Sequence, residues 1–447
     1  MLYSLLVKMQ NWRIEKGRPR LEQGWHITLM LGVLLLLFSL LYQFLALVAP
    51  PLDGPNKLFF LIWVLCFLCY FAFCAYILMS TRPPSRWLWL QLGIIFLGAT
   101  VFRVQLLPLP LGLSRDAWRY LWDAHILLHG YSPYLYAPNN PIFAPLHGSI
   151  YTNTPYREFP TKYPPGAELF YILGYLLSPK NLVGLKGLFV LCDLLTCVAL
   201  AILLACRGLD PRQVIVYAWC PLPIVEFSIQ GHVDALVIAC TVIAVFCSRG
   251  SSRTARITSG VFLGLAILAK LYPALLLLVL VRRRDWNLPA ACALTVVLGY
   301  LPFLWLSHGQ IAAVVLSFSG QDTLHPSFIQ NGLLLLGHSM QLAPTTMLVV
   351  GRVIEGAIGV STVLFVKRQF SRKHISIEGA VLVLIGIGSC LYSYVFPWYI
   401  PALLPWIAVL IAPLRRISQG FSIKKLAIVV VCLSTYAVIL TYLPDLR

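Results

Sequence analysis

The chain is short of charge. Only 11% of its 447 residues are Asp, Glu, Lys or Arg, against about 25% in an ordinary soluble domain. That is too little polar side chain to coat a water-soluble particle of this size. Soluble enzymes, soluble nucleic-acid-binding domains and disordered scaffolds are therefore excluded. Alternating apolar patterns are lacking as well. The apolar residues come in long unbroken runs, which excludes a transmembrane β-barrel and leaves helices as the spanning element. No glycine-rich phosphate loop follows a strand pattern, so nothing points to nucleotide hydrolysis. There is no internal repeat and no low-complexity segment, and the two halves lack the matched broken helices of an inverted-repeat transporter. The 12 cysteines sit in or beside apolar runs, as Cys66, Cys69 and Cys74 do, and residues 108–165 hold none. They form neither a disulfide framework nor a zinc spacing, and read as small apolar packing residues.

What the chain does have is apolar length. Hydrophobic residues make up 59% of it and the mean hydropathy is +0.81. The fold expected is an all-α integral membrane protein, a polytopic bundle of about 11–13 transmembrane helices at the usual ~20 apolar residues per span. Full-length runs fall at 27–49, 58–80, 87–107, 182–205, 213–230, 233–248, 287–306, 344–366, 376–396, 398–414 and 425–443. Three further apolar stretches fit poorly as spans. Residues 166–177 and 328–341 are short, and 261–281 is interrupted by Lys270 and Pro273. Broken helices are tolerated only against protein or a watery cavity, so 261–281 is expected to form a pair of half-membrane helices.

The net charge of +18 comes from 34 Lys and Arg against 16 Asp and Glu. With the amino terminus inside, most of the basic residues fall in internal loops. These include Lys8, Arg13, Lys16, Arg18 and Arg20 at the start, then Arg82 and Arg86, Arg207 and Arg212, Arg249, Arg253 and Arg256, and Arg282, Arg283 and Arg284. Lys367, Arg368, Arg372, Lys373, Arg415, Arg416, Lys424 and Lys425 continue the bias. The positive-inside rule accounts for this charge without nucleic acid. The expected organisation is a basic cytoplasmic segment (1–26), three spans (27–107), an extracytoplasmic loop (108–165) and a multi-helix membrane region (166–447).

The chemistry-bearing residues concentrate in that loop. Asp116, Arg119, Tyr120 and Asp123 fall at i, i+3, i+4 and i+7, one stripe of a helix. Trp118, Leu121, Trp122 and Ile126 form an apolar remainder suited to the membrane interface. Two structural readings stand beside the functional one. Ser114 could cap the helix with Asp116 in its first turn, and Asp123 could simply pair with Arg119. His125 and His129 have a chelating spacing, but no third ligand is evident. Basic residues outside or within the membrane are Arg103, Arg119, Lys162, Lys186, Lys270 and Arg352. Buried charges in a membrane are paired or functional, and Arg352 with Glu355, or Lys186 with Asp193, could satisfy each other. His232 and Asp234 either line a polar cavity or form a turn with Asp234 as a cap. Trp398 and Tyr399 suit sugar stacking or an aromatic belt.

The stretch Asp116-x-x-Arg119-Tyr120-Leu121-Trp122-Asp123, with Gly130-Tyr-Ser-Pro-Tyr134 and Tyr163-Pro-Pro-Gly166, resembles the bacterial polyprenyl-phosphate-sugar-dependent glycosyltransferases of the GT-C superfamily. Within them it is most similar to the mannosyltransferase-like members of glycosyltransferase family 87. The resemblance continues through Trp219-Cys-Pro221 and Glu226, Gly231-His-Val-Asp-Ala235, Gly264-Leu-Ala-Ile-Leu-Ala-Lys270-Leu-Tyr-Pro273 and Pro397-Trp-Tyr399, covering roughly residues 85–415. It implies transfer of a hexose, mannose first, from a polyprenyl-phosphate donor to a hydroxyl of a glycan, lipid or protein acceptor on the extracytoplasmic face. Asp116 is then the base and Asp123 a second catalytic acid. Arg119, Tyr120, Lys162, Tyr163, His232, Asp234, Lys270 and Arg352 become substrate-binding candidates. Relatives often carry an acidic pair where this chain has Arg115 and Asp116, and a glycine where it has Ala124. No cofactor is implied, and a divalent metal is left open. Two rival readings remain, a lipid-sugar transporter or flippase and a non-catalytic subunit that binds a lipid-linked glycan.

Overall fold

A computed structural model describes residues 21–48, 57–80, 82–309, 326–392 and 396–411. The expected span at 425–443, the basic residues of the first 20 positions and Arg415, Arg416, Lys424 and Lys425 lie outside the described residues. Among those described, every regular element is helical. Three apolar helices come first, α1 (Leu21–Leu47), α2 (Lys57–Met79) and α3 (Ser85–Leu106). A polar helix α4 (Asp116–Leu128) opens the long loop, which closes at α5 (Pro165–Leu177). Then come α6 (Leu182–Cys206), α7 (Pro221–Ser228), α8 (Asp234–Ser248), α9 (Arg253–Ala269) and α10 (Asn287–Leu306). The last are α11 (Phe328–Ser339), α12 (Pro344–Ser371) and α13 (Ile377–Tyr392).

Six of these, α1, α2, α3, α6, α10 and α12, are long and apolar enough to cross a membrane. Their surfaces expose Leu36, Leu61, Leu298 and Val353, side chains that lipid, not water, would cover. The chain is a polytopic helical membrane protein. Three of the other expected spans, 213–230, 233–248 and 398–414, are short or broken where they are described. Run 233–248 gives the 15-residue α8, about 22 Å at 1.5 Å per residue and short of a ~30 Å hydrocarbon core. Run 376–396 is described over Ile377–Tyr392.

Runs 213–230 and 398–414 are broken, and proline is the reason. The second becomes a 3-10 segment, Pro397–Leu403, followed by a short helix, Leu404–Leu410. The first splits into Pro211–Val214, Ile215–Ala218 and α7, with Pro221 at the first turn of α7. A proline has no N–H and cannot continue the ladder. Carbonyls freed this way must find donors in a membrane, and α2 and α3 supply them. Tyr70 donates to the carbonyl of Val216 at 2.6 Å, Trp63 to that of Pro221 at 3.4 Å and Arg103 to that of Ala218 at 2.8 Å. Trp219 answers in the other direction, its indole N–H donating to the carbonyl of Ile95 at 2.8 Å. Arg103 also binds Asp193, so the carboxylate expected to pair with Lys186 is held by an arginine instead.

The described chain divides into two compact units. One holds the residues up to Leu113, Val190–Ile229 and those from Ile407; the other holds Ser114–Phe189 and Gln230–Trp406. The stretch just described belongs to the first unit, where Glu226 is fully buried. In the second, α4 packs on α5, α5 on α9, and α9 between α8 and α10. The Pro164-Pro165-Gly166 turn makes the α5–α9 contact close. Pro165 stands at the helix start, where its missing N–H costs nothing. A Cβ on Gly166 would lie 2.6 Å from the Leu268 Cβ and 3.0 Å from its carbonyl oxygen. The interrupted stretch 261–281 breaks as expected. Helix α9 ends at Ala269, Lys270 is extended, and Tyr272–Leu276 and Leu277–Leu280 follow as short turns.

Candidate active site

Helix α4 forms where the stripe predicts it, with one adjustment at its start. The N-cap is Arg115, which makes no side-chain cap. The Ser114 hydroxyl accepts the Asp116 N–H at 3.2 Å, a local turn, not a cap onto the third residue. Of the apolar remainder, Leu121, Trp122 and Ile126 are fully buried in the protein and Trp118 is partly exposed. The loop that follows folds back over it. Thr161 N–H donates to the Pro133 carbonyl at 2.9 Å, and the Tyr134 hydroxyl donates to the Tyr163 carbonyl at 2.7 Å.

The two aspartates of the stripe have different surroundings. Asp116 is half-buried. Asp123 is fully buried, and its oxygens accept from the Arg119 Nε at 2.9 and 3.1 Å. The same guanidinium donates through Nη1 to the carbonyls of Tyr156 and Phe159, at 3.0 and 2.9 Å. Arg119 is only 5% exposed. It therefore staples the returning loop to α4 and makes the pair with Asp123 that the spacing allowed. Burial pushes the Asp123 carboxyl above the ordinary carboxylate value, and Arg119 pulls it only part of the way back. Asp123 is thus enclosed between α4 and the returning loop.

Beside this pair lies a carboxylate the sequence reading missed. Glu168, in the first turn of α5 and fully buried, accepts from the Thr161 hydroxyl at 2.9 Å. Its only sequence signal was an acid in an otherwise apolar run. Above it the tyrosines form a wall. Tyr120 stacks on Tyr171 with centroids 4.3 Å apart and meets Tyr163 edge-on at 4.9 Å, and the Tyr163 and Tyr120 hydroxyls are 3.3 Å apart. Burial first, then Tyr171 and Asp116, holds the Tyr120 hydroxyl well above its ordinary value. Burial, Tyr120 and Asp116 do the same for Tyr163. Both stay protonated, and the Tyr163 hydroxyl donates to that of Tyr120.

A second strand of the site arrives through a turn. Gly231 has φ +68°, and a Cβ there would stand 2.9 Å from the Lys186 Cγ and 3.5 Å from the Ala117 Cβ. Only glycine adopts that conformation cheaply and allows that approach. Gln230 reinforces the contact by accepting the Ser114 N–H at 3.2 Å. The turn thus sets His232 and Asp234 against the start of α4, and Asp116 and Asp234 interact electrostatically. Asp234 begins α8, and Val233 is the cap residue. Both Asp234 oxygens accept from the Lys270 ammonium at 2.8 Å, which also lies 4.4 Å from the Tyr399 ring centroid. Lys270 is thus an ion-pair partner at the edge of the site. Trp398 stacks on His232 at 4.0 Å and on Phe396 at 4.5 Å.

Asp116, Tyr120, Tyr163, His232, Asp234 and Lys270 are therefore gathered in one neighbourhood. Lys162 is exposed, its ammonium 6.0 Å from the Tyr156 ring centroid. Arg352 is placed on α12 against Glu355 at 3.4 Å, the self-satisfied pair. The His125 and His129 Nδ1 atoms both have partners within the protein. His129 Nδ1 lies 2.8 Å from the His125 carbonyl, and His125 Nδ1 lies 3.0 Å from the Tyr175 hydroxyl. Among the described residues, no three His, Cys, Asp or Glu side chains gather as a metal site would require.

The model of glycosyltransferase family 87 matches residues 161–393, just over half of the chain. The match begins at Thr161 and takes in Tyr163, Glu168, His232, Asp234 and Lys270. The α4 stripe lies before it. No solved structure matches the chain.

Proposed function

The chain belongs to glycosyltransferase family 87, and from that premise we propose that it transfers a hexose, mannose first, from a polyprenyl-phosphate donor to an acceptor hydroxyl. The acceptor is a glycan, lipid or protein on the extracytoplasmic face of the plasma membrane, and the amino terminus is cytoplasmic. In the reaction the acceptor oxygen attacks the anomeric carbon as its proton passes to Asp116. The bond from that carbon to the phosphate oxygen breaks, and the electron pair leaves with the phosphate. Attack opposite the leaving group inverts the anomeric centre.

The observation that carries this reading is the contrast among the carboxylates. Asp123, Glu168 and Asp234 are all buried, and each accepts a hydrogen bond from a protein donor. Asp116 is half-exposed at the rim, beside two protonated tyrosines. A base that must meet an incoming hydroxyl needs that access. The partly exposed Tyr163 offers a hydroxyl to the sugar or phosphate, Lys162 and Lys270 supply positive charge for the leaving phosphate, and the buried Tyr120, His232 and Asp234 support them from behind. The apolar spans accommodate the polyprenyl chain.

Purified protein in nanodiscs, given radiolabelled polyprenyl-phosphate-mannose or polyprenyl-phosphate-glucose and a membrane extract of acceptors, tests this. The expected result is label in the acceptor fraction with release of polyprenyl phosphate. Label that crosses a proteoliposome bilayer with the donor intact would establish the flippase reading instead. Tight donor binding with no turnover would establish a non-catalytic subunit.

A further inference from the structure

We infer that Glu168 is a positioning residue, which fixes the Thr161–Tyr163 segment of the substrate-binding wall through a single threonine hydroxyl. The kinetic consequences rest on the transferase reading; the structural ones do not.

The Thr161 side chain is 3% exposed, and its oxygen has two duties. It accepts the N–H of Tyr163 at 3.3 Å and donates its one proton to Glu168 Oε1 at 2.9 Å. The Thr161 hydroxyl also interacts with the Asp123 carboxylate, which holds Arg119 Nε; the hydrogen bond at 2.9 Å that its proton makes goes to Glu168 Oε1. From there the chain of contacts runs outward. The backbone of Thr161 is held by Pro133 at 2.9 Å, and that of Tyr163 by the Tyr134 hydroxyl at 2.7 Å. The Tyr163 hydroxyl meets that of Tyr120 at 3.3 Å, one helical turn from Asp116. Lys162 sits between the two fixed residues and is itself exposed. The anchor thus lies in the rigid first turn of α5, clamped to α9 at Gly166, and the anchored segment carries two residues assigned to substrate.

Acceptance of a hydrogen bond, not negative charge, is what this task requires. Glu168 Oε2 is buried and makes no hydrogen bond, so one oxygen does the work. A glutamine places a carbonyl oxygen in the same position. A leucine has the bulk but no acceptor, and it leaves the Thr161 hydroxyl buried without its partner, a penalty that favours displacement of the segment.

The experiment compares Glu168→Gln, Glu168→Leu, Thr161→Ser and Thr161→Val in full-length protein in detergent. The first readout is the rate of tryptic cleavage after Lys162, which reports local opening of the segment and needs no substrate. Glu168→Leu and Thr161→Val are expected to speed cleavage at least about fivefold, while Glu168→Gln and Thr161→Ser stay near wild type. The second readout is transfer kinetics. KM for the donor is expected to rise roughly tenfold in Glu168→Leu and Thr161→Val, with kcat within about threefold. The double variant should be no worse than either single one, because both break the same link. Unchanged cleavage in Thr161→Val, or a Glu168→Gln variant as defective as Glu168→Leu, would overturn the inference. Should Glu168→Leu fail to fold, Thr161→Val and Glu168→Gln decide it alone. If wild type transfers no hexose, the transferase reading fails, and the cleavage comparison still tests Glu168.

Discussion

Replacing each aspartate of α4 by asparagine separates chemistry from scaffolding. Asp116→Asn removes the proposed base. Asp116 is half-exposed in the first turn of the helix, where a carboxylate interacting with the helix dipole contributes below about 1 kcal/mol. The thermal unfolding midpoint should therefore hardly move. Transfer should fall by about 10²–10⁴, the usual worth of a positioned base, or about 3–5 kcal/mol of barrier. Asp123→Asn should do the reverse in stability. It strips the charge opposite Arg119, whose guanidinium is 5% exposed and also ties down two loop carbonyls. Breaking a buried ion pair costs about 3–5 kcal/mol. The lower end applies here, because the amide oxygen still accepts one N–H. The assay pairs thermal unfolding in detergent with label transfer from polyprenyl-phosphate-mannose. The reasoning is refuted if Asp116→Asn keeps wild-type transfer, or if Asp123→Asn unfolds at the wild-type temperature.

Lys270→Met strands the buried Asp234 carboxylate and should lower both stability and transfer. Lys270→Met with Asp234→Leu should recover the stability by removing both charges but not the transfer, as thermal unfolding and label transfer on the same sample would reveal. Gly166→Ala forces a Cβ to within 2.6 Å of the Leu268 Cβ and 3.0 Å of a backbone oxygen, so α5 and α9 must separate. A loss of about 1–3 kcal/mol is expected, read as a lower unfolding midpoint, and an unchanged midpoint would contradict the close packing. Burial, with His129 and Lys180 adding to it, holds the His125 imidazole below its ordinary value of about 6.5. The unfolded chain then takes the proton first. The stability contributed by the neutral ring is complete above that pH and lost as pH falls below it. His125→Phe should flatten the decline of the unfolding midpoint between pH 7 and 5, and an unaltered slope would assign that decline to other groups.

Composition and run length alone establish the membrane character of this protein. Too few charges for a water-facing surface and apolar runs of spanning length admit no other helical arrangement, and six of the runs fold as long apolar helices. The i, i+3, i+4, i+7 stripe likewise places α4 and gathers its polar residues, because helical periodicity is a local property. The break at Lys270 was legible for a similar reason, since a charge and a proline interrupt the run itself. The same logic misjudged 213–230, where hydropathy outweighed Pro221 and Pro223. The donors that make the break tolerable, Tyr70, Trp63 and Arg103, come from distant helices.

Which carboxylate does what was decided only by tertiary structure. Asp116 and Asp123 are the same residue on the same stripe. They differ because the returning loop buries one against Arg119 and leaves the other at the rim. The partners of Asp193 and Lys270, which are Arg103 and Asp234, lie far from them in sequence, and low-dielectric burial selects by geometry and not by spacing. Glu168 was invisible for the same reason. An acid in an apolar segment acquires a task only when Thr161, seven residues earlier, is folded back against it. Local periodicity and hydrophobicity act between neighbours in sequence and can be read there. Burial, and the hydrogen bonds it enforces, act between neighbours in space.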